Sequence, residues 1–194
     1  MKNKSLWIIL GIVAVVLIWG VTTYNGLVSK DEKVASAWAN VETVYQRRAD
    51  LIPNLVNTVK GYAAHESKTL ADVTEARAKS TAISIDPSTA TPAEMEAWME
   101  AQGEVSSALG RLIAISENYP ELKANQNFLE LQKQLEGTEN RISTERRKYN
   151  EEVRGYNAKI RRFPTNLIAG MFGFEKRVMF EAQEGAEVAP VVEF

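Results

Sequence analysis

His65 is the one histidine of the chain and stands beside Glu66. An imidazole next to a carboxylate is the beginning of a metal site or of an acid–base pair, and either needs companions at helical spacing. The Glu-x-x-His pattern that holds paired metals inside helical bundles fails, because position 62 is Tyr. The zinc-protease pattern fails as well, since position 69 is Thr. With no cysteine in the chain, thiolate metal sites, a thiol nucleophile and disulfides are excluded. Neither a Gly-x-Ser-x-Gly elbow nor a glycine-rich phosphate loop is present. His65 is therefore expected to be a surface or structural residue, and the sequence predicts a non-enzymatic protein without catalytic residues, cofactor or metal.

Arg47, Arg48, Asp50, Asn54 and Lys60 form a second concentration of chemistry, suited to gripping a partner or a second copy. They are a candidate interaction tip; the alternative use is helix capping and an ion pair with Asp50. Glu66, Thr69, Gln102 and Ser116 fall on or beside apolar stripes, where buried polar groups need partners and set helix register. A ligand between helices is the other use of such residues. Beyond residue 29 stand 21 basic and 25 acidic side chains, so nucleic acid is not an expected partner.

These groups must be positioned by helices. Residues 5–29 carry no charge, and 6–21 is an unbroken run of 16 apolar or Gly residues. Leu6, Trp7, Trp19 and Tyr24 are the candidate membrane-anchor residues; Trp7 and Tyr24 lie about 26 Å apart along a helix, matching two interfacial aromatic belts. A cleaved signal peptide is the rival reading, but the exit lacks an Ala-x-Ala pattern. Residues 1–26 are thus expected to be a transmembrane anchor. Lys2 and Lys4 balance Lys30 and Lys33 on the other flank, so charge does not decide which side holds the remainder.

The stripe Val34, Trp38, Val41, Tyr45, Arg48 predicts a helix over 27–48. Pro53 with Asp50 before it predicts a sharp joint at 49–53, followed by a helix over 51–83. A Ser/Thr/Pro-rich loop comes next, with Thr91 as cap and Pro92 at the first position of a helix over 93–117. Phe128, Leu135, Ile142, Tyr149, Tyr156 and Phe163 recur every seven residues, predicting a long coiled-coil-like helix over 121–162. The fold class is all-α: an anchor followed by an elongated up-and-down antiparallel four-helix bundle over 27–163. The tail, 164–194, is too apolar for a disordered end. Leu167, Ile168, Met171, Phe172 and Phe174 are its candidate docking residues, on the same bundle or on a neighbouring subunit.

Several blocks closely resemble the LemA family of bacterial membrane proteins. They include Tyr24-Asn25-Gly26-Leu27-Val28, Ala37-Trp38, Arg47-Arg48-Ala49-Asp50-Leu51-Ile52-Pro53-Asn54-Leu55-Val56, Ala64-His65-Glu66, Glu117-Asn118-Tyr119-Pro120, Arg161-Arg162-Phe163-Pro164 and Gly173-Phe174. The resemblance covers essentially the whole chain. It implies a single-pass protein of the bacterial inner membrane with a helical-bundle domain on the cytoplasmic side, and it implies no established activity. Genes of this type often occur near those of membrane proteases or of proteins of unknown function, so the resemblance gives a hint, and no more, of a membrane-protein partner. The expected function is a self-assembling scaffold or adaptor held to the lipid bilayer as a homo-oligomer. A tethered sensor or receptor, or an accessory subunit of a membrane protease, is the alternative.

Overall fold

The computed structural model describes residues 2–181. The chain is helical, and no strand occurs among the described residues. α1 (Lys2–Tyr62) is followed by α2 (Ser67–Ala82), α3 (Pro92–Ile115) and a 3-10 turn (Ser116–Asn118). α4 (Pro120–Lys123), α5 (Gln126–Arg161) and α6 (Thr165–Met171) complete the order.

α1 is one helix of 61 residues, about 90 Å long at 1.5 Å per residue. Its apolar first part is exposed over residues 6–19 and has the length and composition to cross a membrane. From Leu27 onward one stripe of the same helix is buried: Leu27, Val34, Trp38, Val41, Tyr45, Arg48, Ile52, Leu55 and Val59.

The expected joint at 49–53 does not exist, because α1 runs through Pro53. Two features account for this. The buried stripe continues in phase past Pro53, so a straight helix seats Ile52, Leu55 and Val59 in the core. Proline also leaves the carbonyl four residues back without its N–H donor. Here that carbonyl is Ala49 O, and Arg77 Nε of α2 donates to it at 2.7 Å. The chain reverses instead at 63–66, where Ala63 is fully buried and Glu66 N–H donates to Ala63 O at 3.0 Å. The helix expected over 51–83 is therefore divided between the end of α1 and α2.

Thr91 caps α3 as its spacing predicts. Thr91 Oγ accepts from Glu94 N–H, and the Glu94 carboxylate accepts from Thr91 N–H in return. These bonds hold the Glu94 carboxyl below its ordinary pKa. The single helix expected over 121–162 is two. Asn125 accepts from Phe128 N–H at 3.0 Å and so starts α5 afresh after α4. The seven-residue seam holds from Phe128 to Tyr156, all buried, whereas Phe163 lies beyond the helix end and is exposed.

α5 runs antiparallel to α1, with Tyr149 against Trp38, Glu139 against Arg48 and Asn125 against Tyr62. α2 and α3 pair beside them, joined by Lys79–Glu104 at one level and Glu66–Tyr119 at another. Two core clusters result. An aromatic cluster nearer the bare part of α1 holds Trp38, Tyr45, Trp98, Tyr149, Tyr156 and Phe180. An aliphatic cluster at the far end holds Ile52, Leu55, Val59, Val73, Leu112 and Leu135.

After α6, Gly173 adopts φ +72°, a left-handed conformation suited to glycine, and Phe174 N–H closes back on Ala169 O at 2.9 Å. The chain then runs extended along α5. Asn157 clamps both backbone groups of Arg177, each at 2.9 Å, and Asn150 clamps those of Phe180 at 2.8 and 2.9 Å. The spacing fits: three extended residues and seven helical residues both cover about 10 Å. The apolar run 188–194 lies outside the described residues.

Candidate functional site

Arg48 is the least expected member of the buried stripe, since its side chain is charged and the residue is only 2% exposed. Its neighbours explain how it is tolerated. Nη1 donates to Ser106 Oγ and to Glu139 Oε1, both at 2.8 Å. Nη2 donates to Gln102 Oε1 at 2.6 Å and to Gln102 O at 3.1 Å. The guanidinium also lies 5.0 Å from the centre of the Tyr45 ring. One side chain of α1 thus ties α3 and α5 together between the two core clusters. A buried ion survives only when paired and hydrogen-bonded in this way.

This brace forms part of the wall of a cleft of about 1420 Å³ between α3 and α5. Met99, Gln102 and Ser106 line one side; Glu139, Ser143 and Arg146 line the other, with Tyr45 and Phe180 also contributing. Burial pushes the Tyr45 hydroxyl above its ordinary pKa even though Arg146 and Arg48 oppose the shift. Tyr45 therefore stays protonated across the physiological range. The lining mixes five basic side chains, Arg48, Lys79, Arg111, Arg146 and Arg147, with seven acidic ones, Asp72, Glu75, Glu96, Glu100, Glu104, Glu139 and Glu181, so the cleft is polar and of mixed charge.

The other members of the expected interaction tip do not join Arg48. Arg47, Asp50, Asn54 and Lys60 are exposed along the outer side of one continuous helix, spread over about 20 Å. Asp50 accepts from Gln46 Nε2 at 2.8 Å and neither caps a helix nor pairs with an arginine among the described residues. The tip of the molecule is made instead by 62–66 and 116–125. There Tyr119 O–H donates to Glu66 Oε1 at 3.1 Å, and Asn125 Nδ2 donates to Tyr62 Oη at 2.8 Å. The bond to a carboxylate raises the Tyr119 pKa. His65 is exposed in this turn.

Leu6, Trp7, Trp19 and Tyr24 are all exposed on α1. The five candidate docking residues separate into two faces. Ile168 and Phe174 pack inward on the aromatic cluster of the same chain, whereas Leu167, Met171 and Phe172 point away from it.

Several residues that organise the site were not anticipated. Arg177 is buried, pairs with Asp31 at 2.8 Å, donates to Ser88 O and lies 5.3 Å from the Tyr156 ring centre. Phe180 stacks on Trp38 at 5.8 Å and meets Tyr149 at 5.2 Å. The available signal was the pair Asn150 and Asn157, seven apart and each next to a seam tyrosine.

Residues 37–194 match the LemA family. The chain belongs to that family. Among its relatives is magnetosome protein MamQ 2 of Paramagnetospirillum magneticum, 26% identical, with 87% of this chain and 68% of that protein covered. MamQ of Magnetospirillum gryphiswaldense is 27% identical over the same shares. Protein LemA of Metamycoplasma hominis is 26% identical over 82% of this chain and 69% of its own. The LemA match begins on α1 at the start of the aromatic stripe, and the braced cleft lies wholly inside it.

Proposed function

We propose that this LemA-family chain is a non-enzymatic, single-pass membrane scaffold: a four-helix up-and-down bundle held at a bilayer by the apolar part of α1 and assembling with copies of itself. The observation that carries the reading is the continuity of α1, whose first part is bare and apolar and whose second part is the spine of the core. A helix shared in this way couples the bundle to the bilayer without a flexible linker. The magnetosome names of two relatives agree with a part in a built structure. Bacterial inner membrane and a cytoplasmic bundle are the proposed address. Light scattering of the full chain in detergent tests the assembly: one defined mass of several copies supports it, and a monomer at all concentrations overturns it.

A sensor reading is favoured by the Arg48 brace beside the large cleft, because an occupant there would act directly on α1. In that case Arg48→Met changes hydrogen exchange at Tyr24 and Leu27 as well as in the cleft. Exchange altered at the cleft alone removes this reading.

A further inference from the structure

Beyond Tyr24, seven large apolar side chains are exposed among the described residues, and four of them sit together: Phe163 (80%), Leu167 (57%), Met171 (74%) and Phe172 (56%). Leu167 and Met171 are one helical turn apart on α6, with Phe163 and Phe172 at its two ends. The opposite face of α6 is anchored, with Thr165 and Ala169 buried and Ile168 against the aromatic cluster. The outward face is therefore held in place by the fold.

Its height along α1 is set by direct contact. The Phe172 ring lies 4.8 Å from the Tyr24 ring, and Phe174 lies 5.7 Å from it on the inner side. A hydrocarbon layer of about 30 Å that begins at Leu6 spans roughly 20 helical residues and ends near Asn25. The α6 face is thus at the edge of that layer, continuous with the bare apolar surface of α1. Arg161 and Arg162, both exposed, immediately precede Phe163 and are placed to meet headgroup phosphates.

We propose that α6 is a second membrane contact, with Phe163, Leu167, Met171 and Phe172 immersed at the boundary between headgroups and acyl chains where α1 emerges. The occupant of this face is lipid, because the face continues the apolar surface of α1 at the same level. Two contacts fix the tilt and rotation of the bundle against the bilayer, which one helix alone does not. The inference rests on α1 spanning the membrane.

The chain has no cysteine, so single labels are easily placed. Val15→Cys, Met171→Cys and Glu130→Cys each carry an environment-sensitive fluorophore in the full chain. Each labelled protein is reconstituted in phosphatidylcholine–phosphatidylglycerol vesicles, with and without lipid spin-labelled near the headgroup. The expected result is blue-shifted emission at 15 and 171 but not at 130, with the shallow quencher acting most on 171. Emission at 15 in lipid while 171 resembles 130 overturns the α6 contact and leaves the span intact. Emission at 15 resembling 130 overturns the span and this inference together. A blue shift at 171 that ignores the lipid quencher and grows with protein density assigns the face to a second copy and overturns the lipid contact.

Discussion

The aliphatic and aromatic clusters are built on the same helices and differ in what closes them. The aliphatic cluster is sealed by short connections, the turn at 63–66 and the segment 116–125, which bury Ala63 and Leu122. The aromatic cluster is sealed by chain that returns from far away: Ile85 from the loop after α2 and Phe180 from the end of the described chain. Its clasp, Arg177 to Asp31, joins positions 146 residues apart. Both buried polar side-chain atoms without a partner among the described residues, Trp38 Nε1 and Tyr156 Oη, also belong to this half. Each such atom costs about 1–3 kcal/mol. The far half therefore rests on local apolar packing, and the half next to the bare part of α1 depends on a distant segment staying docked.

Phe180→Ala strikes this dependence most directly. It removes a ring that touches Trp38, Trp98 and Tyr149, with an expected loss of about 3–5 kcal/mol. Hydrogen exchange should rise around Trp38 and Tyr149 while Leu55 and Leu112 stay protected. Equal loss in both halves would abolish the distinction.

Arg48→Met tests what joins them. Gln102 and Ser106 lose their donor while the half-exposed Glu139 regains water, so roughly 2–4 kcal/mol should be lost. Two of the four tryptophans, Trp38 and Trp98, lie in the aromatic cluster, and the aliphatic cluster contains none. Urea unfolding followed by fluorescence should consequently separate from unfolding followed by helical circular dichroism.

High pH acts chiefly on the aromatic half, which holds Tyr45, Tyr149 and Tyr156, three of the four tyrosines whose pKa is raised among the described residues; the fourth, Tyr119, packs on the aliphatic cluster. Burial pushes the Tyr149 hydroxyl up to about 12, against an ordinary 10.0. A group whose folded pKa is raised contributes stability that is complete below pH 10 and is lost as pH climbs towards 12, roughly 2–3 kcal/mol. Ionisation also removes the proton that Tyr149 donates to Val178 O, releasing the return segment. Ultraviolet titration should show a late tyrosine whose ionisation coincides with the loss of near-ultraviolet dichroism.

The smallest effect belongs to the joint that is absent. Arg77→Ala strands Ala49 O beneath Pro53 and should cost about 1–2 kcal/mol. In a Pro53→Ala background the residue-53 N–H is available to that oxygen, so the cost should shrink. A double-mutant cycle with no coupling would refute the compensation.

The legible parts were those governed by periodicity and local chemistry. The stripe from Val34 to Tyr45, the heptad seam from Phe128 to Tyr156 and the Thr91 cap all depend on residues within a turn or two of each other. The joint misread at 49–53 marks the limit of that reasoning. Proline is costly in an isolated helix, and the donor that relieves it comes from another helix. Arg48 looked like a tip residue for a similar cause. Its phase on the buried stripe was visible, but the partners that make burial affordable sit on α3 and α5.

The sequence by itself determined an all-helical chain with a span-length apolar start, because side-chain period and charge depletion are properties of consecutive residues. Tertiary structure decided that α1 is unbroken, that Arg48 braces the interior, and that the return segment is clamped by Asn150 and Asn157. It also decided which face of α6 is left bare. Each of these turns on partners remote in sequence, whose approach supplies hydrogen bonds and burial that no local pattern encodes.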